Sequence, residues 1–456
     1  MKNNVFGPRL SPMGDDFRTF LYYPLMNRMG THFINRSERK KNGFKKTARF
    51  FVLILICIVL GVAPARGEEI GLAQALEIFY KKNYDLLIGK FDIEKAYADF
   101  VGAKLYPNPN LSVNHFGNEF SKGYPQLGDN TQSTVRLDQL IELGGRRQLR
   151  IDSTQETHVS AELAQKDKIR NLLSGFYSVW YNLLLDRLNV EFAKKELERI
   201  DKVLKVGEIR FKAGTLTLID HAKLKLSRID AQTALATFEN QYRNHVEDFN
   251  FLLGAEKTVE PASRFEYPEQ PKSFSEGELL GVAYQNRYDY LSLQRQLRAS
   301  DLDVAFAKSY KIPDITVGAE YDQFGTKITP NFGAGISLRL PILNKNQGEI
   351  MKRMAGHGQI EIQIEKTRRQ IVSDVRQAVN NYDSALKIEN SYAERKKEME
   401  DLLKNSQAAF ALGGITVLDF IDAQRTYRDF STKHNQARMQ VLLSRELVRV
   451  ATGEIK

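Results

Sequence analysis

Two stretches of the chain alternate apolar and polar residues with a period of two. In Ile315-Thr316-Val317-Gly318-Ala319-Glu320-Tyr321-Asp322 the apolar set (Ile315, Val317, Ala319, Tyr321) falls on one side and Thr316, Glu320 and Asp322 on the other. From Asn331 to Leu340, the residues Phe332, Ala334, Ile336, Leu338 and Leu340 face one way, and Asn331, Gly333, Gly335, Ser337 and Arg339 the other. A looser pair of the same kind runs from Leu111 to Phe116 and from Thr134 to Ile141. The pattern predicts two β-hairpins, 109–142 and 313–341, with strands of about ten residues, the length of a tilted strand that crosses an outer membrane. Taken singly, each hairpin fits equally a half-buried sheet on a soluble core.

Each hairpin is followed by a region without a helix breaker. No proline lies between Pro125 and Pro261 or after Pro341, so long helices are predicted over 146–254 and 345–453. Residues 146–213 alone would reach about 100 Å at 1.5 Å per residue. Helices of that length leave no compact body for a sheet to cover, which shifts the weight toward strands in a membrane.

The chain also repeats itself. Residues 84–113 match 288–317 at an offset of 204, with nine identities that include Tyr84/Tyr288, Lys104/Lys308 and Pro109/Pro313. A second block, at an offset of 199, pairs Phe211 with Phe410, Gly214 with Gly413, Thr217 with Thr416, Asp220 with Asp419 and Gly254 with Gly453. Two helix-hairpin-helix repeats, 66–259 and 276–456, are therefore expected, joined by a linker over 260–275. Four strands cannot close a barrel, since the smallest membrane barrels have about eight, and open edges are not tolerated in lipid. Several copies must then share one barrel, and strand counting does not choose among two, three or four.

The net charge of +10 suggests a nucleic-acid partner only until it is divided. Residues 1–65 carry 11 Lys and Arg against 3 Asp and Glu, so of 66 basic and 56 acidic residues, 55 and 53 fall in the remainder. The prefix ends in Lys45, Lys46 and Arg49, an apolar run from Phe50 to Val62, and Ala63-Pro64-Ala65. That order reads as a secretory signal peptide after an N-terminal extension, with Met26 or Met29 as alternative starts. The apolar run is shorter than the roughly 20 residues of a membrane-spanning anchor. The single cysteine, Cys57, lies within it, so disulfides and cysteine metal sites are excluded from the mature chain.

The duplicated order, Tyr106-Pro107-Asn108-Pro109 before the first strand, Glu142-Leu143-Gly144-Gly145-Arg146-Arg147 after the second, and the tips Phe211-Lys212-Ala213-Gly214 and Phe410-Ala411-Leu412-Gly413 together resemble the TolC-like outer membrane efflux proteins. The resemblance spans residues 71–453, and the 142–147 stretch is similar to the branch that serves metal-cation pumps. It implies an α+β protomer, mostly long helices, that forms a homotrimer with a 12-stranded outer membrane barrel continuing into a periplasmic helical tube. It further implies a periplasmic adaptor (membrane fusion) protein, a proton-driven inner membrane pump and outer membrane lipid as partners, with no nucleic acid and no cofactor. The function implied is a passive exit duct for small solutes or metal cations. The rival reading is a non-channel periplasmic helical scaffold whose hairpins serve as docking sheets.

A duct needs a lining and a gate rather than catalytic residues, and neither a phosphate loop, a nucleophile elbow nor a metal-ligand cluster is present in the sequence. Alternation assigns Thr316, Glu320, Asp322, Ser337 and Arg339 to the lumen, because a basic side chain on the lipid face would cost about 2–4 kcal/mol at the midplane; the alternative is that some of them, Asp322 above all, lie in surface loops beyond the bilayer. The resemblance places Asp419 and Asp422 at the periplasmic end as acidic rings, which would favour cations, with Asp220 beside the other tip. Thr416/Asp419 and Thr217/Asp220 equally have the spacing of helix caps. Gly214, Gly413 and Gly414 form tips expected to meet the adaptor and in any case end helices. Where the family's best known closed state uses a tyrosine hydroxyl and a basic residue, this chain has Phe410 and Ile415, so any latch is expected to rest on packing. Arg146, Arg147 and Arg150 would touch lipid headgroups or form a solvated face, and the six histidines after residue 65 show no ligand spacing.

Overall fold

The computed structural model describes residues 68–119, 126–256, 258–262, 274–324 and 330–454. The N-terminal extension, the signal peptide with Cys57, and most of the 260–275 linker lie outside the described residues.

A short strand, β1 (Glu68–Ile70), precedes α1 (Leu72–Lys82) and α2 (Tyr84–Ala103), which lead into β2 (Asn110–Glu119) and β3 (Gln126–Ile141). Two long helices, α3 (Arg146–Lys212) and α4 (Leu218–Leu253), complete the first half. After β4 (Val259–Pro261), which pairs in parallel with β1, the order recurs as α5 (Glu276–Asn286), α6 (Tyr288–Ser309), β5 (Ile315–Phe324), β6 (Pro330–Leu338), α7 (Gln347–Leu412) and α8 (Val417–Ala451).

Duplication extends to individual atoms. Asn83 Nδ2 donates to the Leu252 carbonyl at 2.8 Å, and at the matching positions Arg287 Nη1 donates to the Ala451 carbonyl at 3.2 Å. Gly254 and Gly453 both end their helix with positive φ, 62° and 78°. A Cβ on either would lie 2.5 Å from the Lys82 carbonyl oxygen or 2.6 Å from that of Asn286, so the same two backbone segments meet in each half and only glycine fits between them.

The two hairpins join into one antiparallel sheet of order β2-β3-β5-β6, because β3 pairs with β5 from Gln132↔Phe324 to Ile141↔Ile315. The helices next to the sheet follow the same order: α2 packs on α3, α3 on α6, and α6 on α7. Toward the tips the order becomes α4, α3, α8, α7. Thus α3 and α7, 67 and 66 residues long, are continuous staves, and shorter helices change over halfway along them.

Three clusters hold the staves together. Phe79, Phe176, Trp180 and Phe249 centre the first at the changeover, Ile371, Val375, Tyr382 and Val448 the second, and Ile200, Leu224, Phe410 and Phe420 the third, at the tips. Each such side chain contributes about 1.5–3 kcal/mol by leaving water. Among the described residues, the sheet has no such cover. Its apolar face, with Leu111, Val113, Phe332, Ile336 and Leu338, is exposed, which a soluble core-covering sheet would not be. Among the described residues no helix is long and apolar enough to cross a membrane.

Candidate gate and lumen

Both tips are built by glycine. Gly214 (φ 73°) ends α3 and Gly413 (φ 82°) ends α7, and the next amides turn back onto the helix, Thr215 to the Arg210 carbonyl at 2.9 Å and Gly414 to that of Ala409 at 2.7 Å. The chain re-enters a helix at Thr217 and Thr416, whose hydroxyls cap Asp220 N (3.1 Å) and Asp419 N (3.2 Å).

Asp419 completes a capping box: its Oδ2 accepts from the Thr416 hydroxyl at 2.7 Å and from the Thr416 amide at 3.0 Å. Those two donors, the hydroxyl first, hold its carboxyl below the usual carboxylate range. Asp220 accepts from the Thr217 hydroxyl at 2.9 Å and lies 3.5 Å from Lys223 Nζ. Asp422 is exposed one turn further along, with no hydrogen-bond or ion-pair partner among the described residues.

Phe410 is buried against Phe420, ring centroids 5.4 Å apart, and the matching stack in the first half is Phe211 on His221 at 4.7 Å. Packing is accompanied by a polar tie that the sequence reading missed. Arg210 Nη1 donates to the Phe410 carbonyl at 2.6 Å, linking α3 to α7 between the two tips. Only an arginine in the last turn of a helix hinted at it, since its acceptor is a main-chain atom. Higher up, Gln424 Nε2 on α8 donates to buried Glu196 on α3 at 2.6 Å.

On the polar face of the sheet, Arg136 Nε donates to both carboxylate oxygens of Asp138 at 2.9 Å and Nη1 to Glu320 Oε2 at 3.0 Å. Beside it, the Thr134 hydroxyl donates to Asp322. Direct pairing puts Thr316 opposite Ser337, and Glu320 opposite Gly333, so these share one face. The guanidinium lies over Gly318 and reaches Gly335. β6 ends at Leu338, leaving Arg339 exposed one residue beyond the ladder, outside the alternation that assigned it to the polar side.

Arg146, Arg147 and Arg150 are engaged by groups of the chain rather than left as a free basic cluster. Buried Arg146 pairs with Asp314 and donates to the Ile312 carbonyl at 2.7 Å. Arg147 and Arg150 reach the Lys104 and Ala103 carbonyls, Arg150 also holding Glu142. The end of α2 leaves carbonyls without helical partners, and the arginines take them. Several histidines lie beside carboxylates of neighbouring helices: His245 by Asp186, His357 by Asp301 at 2.9 Å, His434 by Glu389 at 3.8 Å. Among the described residues, no group of three or more His, Cys, Asp or Glu is arranged to hold a metal ion.

A family model described as outer membrane efflux protein matches residues 85–255 and 279–454. The cobalt-zinc-cadmium resistance protein CzcC of Cupriavidus metallidurans is 21% identical over 371 residues, covering 78% of this chain and 83% of its own length. The outer membrane protein TolC of Vibrio cholerae is 22% identical over 370 residues, covering 77% and 83%. Of solved structures, CusC superimposes with a TM-score of 0.72 at 14% identity, covering 85% of this chain and 94% of its own. VceC of Vibrio cholerae does so with a TM-score of 0.68 at 16% identity, covering 84% and 96%. These similarities establish the fold as TolC-like.

Proposed function

Because the chain belongs to the outer membrane efflux protein family through both of its halves, we propose that three copies close one barrel and one helical tube, forming a passive exit duct from periplasm to exterior. The observation that carries this is the sheet: charged on one face, apolar and exposed on the other, and bounded by β2 and β6. Edges in lipid must be paired, and β2 runs antiparallel to β6, so β6 of one copy continues onto β2 of the next. The tube closes along the same seam, where α2 presents exposed Tyr84, Ile88 and Phe91 and α7 presents Met351, Met354 and Ile362.

In this assembly Thr316, Glu320 and Ser337, together with Arg136 and Asp138, line the bore, and Arg339 stands at its periplasmic mouth. Asp422, unpartnered and exposed, is the gate acid. Asp419 and Asp220 are helix caps first and add charge to the same rim. The Gly214 and Gly413-Gly414 tips, ringed by exposed Ile209, Leu218 and Leu412, meet the periplasmic adaptor, and a proton-driven inner membrane pump supplies the energy. The duct contributes no catalysis. Its cargo is a small solute, and the relative named for cobalt, zinc and cadmium resistance favours metal cations.

Single-channel recording of the purified chain in planar bilayers, beside Asp419→Ala plus Asp422→Ala, tests this reading. Discrete cation-favouring conductance that loses its preference in the double variant supports duct and acidic gate together. Conductance with unchanged preference keeps the duct and leaves the aspartates as caps. A folded oligomer that never conducts removes the duct and leaves the scaffold.

A further inference from the structure

Where the sheet meets the tube, the two halves of the chain diverge. In the first half, the segment Glu142–Gly145 between β3 and α3 is pulled inward: Arg150 holds Glu142, and the Leu143 amide donates to Asp314 Oδ1 at 3.0 Å. The corresponding segment after β6, residues 339–346, is longer and carries an apolar run over 340–343. It contains the exposed side chains Leu340, Ile342 and Leu343, the last of them 92% exposed.

This segment is held in place rather than loose. Asn346, the one non-glycine residue with positive φ among the described residues (63°), donates through Nδ2 to the Ala307 carbonyl at 2.9 Å, pinning the start of α7 to the end of α6. The Lys345 amide donates to Gln347 Oε1 at 2.9 Å and the Asn346 amide to Asn344 Oδ1 at 2.9 Å. Backbone order of this kind presents three large apolar side chains to whatever surrounds the junction.

Charge at the same level is uneven. The acids there are already engaged, Glu142 by Arg150 and Asp314 by Arg146. Lys308, Lys311 and Lys345 are exposed, with no carboxylate partner among the described residues. The Asn346 bond to Ala307 brings the backbone that carries Lys345 to the end of α6, which carries Lys308, and Ile312, next to Lys311, is itself exposed.

We infer that the 340–343 segment and Lys308, Lys311 and Lys345 form a collar seated in the periplasmic leaflet of the outer membrane, binding anionic phospholipid. Its exposed apolar side chains follow in the chain directly after Leu338, the last residue on the exposed apolar face of β6, so apolar surface continues past the end of the ladder toward the tube. Lysines at the edge of such a surface extend their apolar stems along it and place their ammonium groups at headgroup depth. The inference rests on the membrane-embedded barrel proposed above.

The chain has one tryptophan, Trp180, buried among aromatic side chains far from this junction. Leu343→Trp, with Ile342→Trp as a second variant, therefore introduces a second reporter, and the native chain supplies the background. Each oligomer is reconstituted in phosphatidylglycerol-containing vesicles with lipid brominated high on the acyl chain. The expected result is loss of at least half of the added fluorescence to the brominated lipid, with Trp180 unaffected. Lys308→Gln plus Lys311→Gln plus Lys345→Gln is expected to lower retained phosphatidylglycerol relative to phosphatidylcholine at least threefold, as counted by native mass spectrometry. Quenching by aqueous acrylamide alone would overturn the inference, as would protection from both quenchers, which would mean that a neighbouring copy covers the segment. Equal retention of the two lipids in the lysine variant would overturn the headgroup assignment. Conductance recorded on the same preparations separates the two readings, because quenching without conductance counts against the duct and leaves the collar standing.

Discussion

The guanidinium of Arg210 donates from Nη1 to the carbonyl oxygen of Phe410 at 2.6 Å and lies over the Phe410 ring at 5.1 Å. The two residues belong to different repeats and to the two long staves, so this bond joins the tips of the two helical hairpins within one chain. The acceptor is among the last carbonyls of α7, where a cation is favoured.

Arg210→Ala is expected to free α7 from α3 at the periplasmic end. A hydrogen bond from a charged donor contributes about 1.5–3 kcal/mol when buried, and a half-exposed one less, about 1 kcal/mol. Single-channel recording should show more frequent or longer openings, partly reversed by Arg210→Lys, which keeps the charge without the planar fork. Unchanged gating would mean that the Phe410–Phe420 packing alone holds the tip.

Arg287 is 1% exposed and binds Asp289 at 2.6 Å, Asp374 at 2.9 Å and the Ala451 carbonyl. Replacing it with Met removes the cation that Asp289 and Asp374 share, leaving Asp289 with Arg170 at 3.8 Å and Asp374 with Gln370 at 2.7 Å, at a cost of about 3 kcal/mol. Its counterpart Asn83 makes neutral bonds, including the N-cap to the Leu86 amide at 3.1 Å, and Asn83→Ala should cost about 1–2 kcal/mol. Denaturant unfolding of the two variants measures both, and equal losses would show that charge pairing adds nothing at the second site.

The Asp419 carboxyl is held low by the Thr416 hydroxyl and amide. A depressed acid contributes stability that is complete above the ordinary carboxylate value of about 4 and is lost as pH falls through the folded value. Protection of the first turn of α8 against hydrogen exchange, taken relative to the intrinsic rate at each pH, should fall below about pH 4, and Thr416→Ala should lower it several-fold at neutral pH. Protection indifferent to both changes would remove the capping role.

Burial, with Arg438 and Lys396 nearby, lowers the His434 imidazole from 6.5 to about 4. Around it stand Glu389, Tyr392 and Lys396 from α7 and Lys433 and Arg438 from α8. Between those two values the unfolded chain binds a proton that the folded one refuses, so stability should fall as pH drops across that window. His434→Phe should flatten the profile measured by thermal unfolding from pH 6.5 to 4. A variant profile as steep as the native one would assign the acid sensitivity elsewhere.

Much of the architecture was legible because it is written locally. Alternation marked β5 and β6, the absence of proline marked α3 and α7, and Gly413 with Thr416 and Asp419 marked a turn and a cap, all within a few residues of one another. The repeat offsets foretold that Gly254 and Gly453 would do the same job. Other features depend on partners far apart in the chain and were not legible. Arg146 and Arg150 read as a cluster that either touches headgroups or forms a solvated face, whereas main-chain carbonyls beside β5 and at the end of α2 engage them, and a carbonyl has no letter in the sequence. Arg339 was placed by an alternation that stops when the ladder stops.

By itself, the sequence determined the repeated elements and which face of each strand is apolar, because side-chain direction follows from helical and strand periods. Only the tertiary structure decided that the two hairpins share a sheet through β3 and β5, that Arg210 ties one tip to the other, and which charges remain free at the junction. Those outcomes depend on which distant groups meet once 67-residue helices lie side by side, and hydrogen bonding then claims the available donors and acceptors.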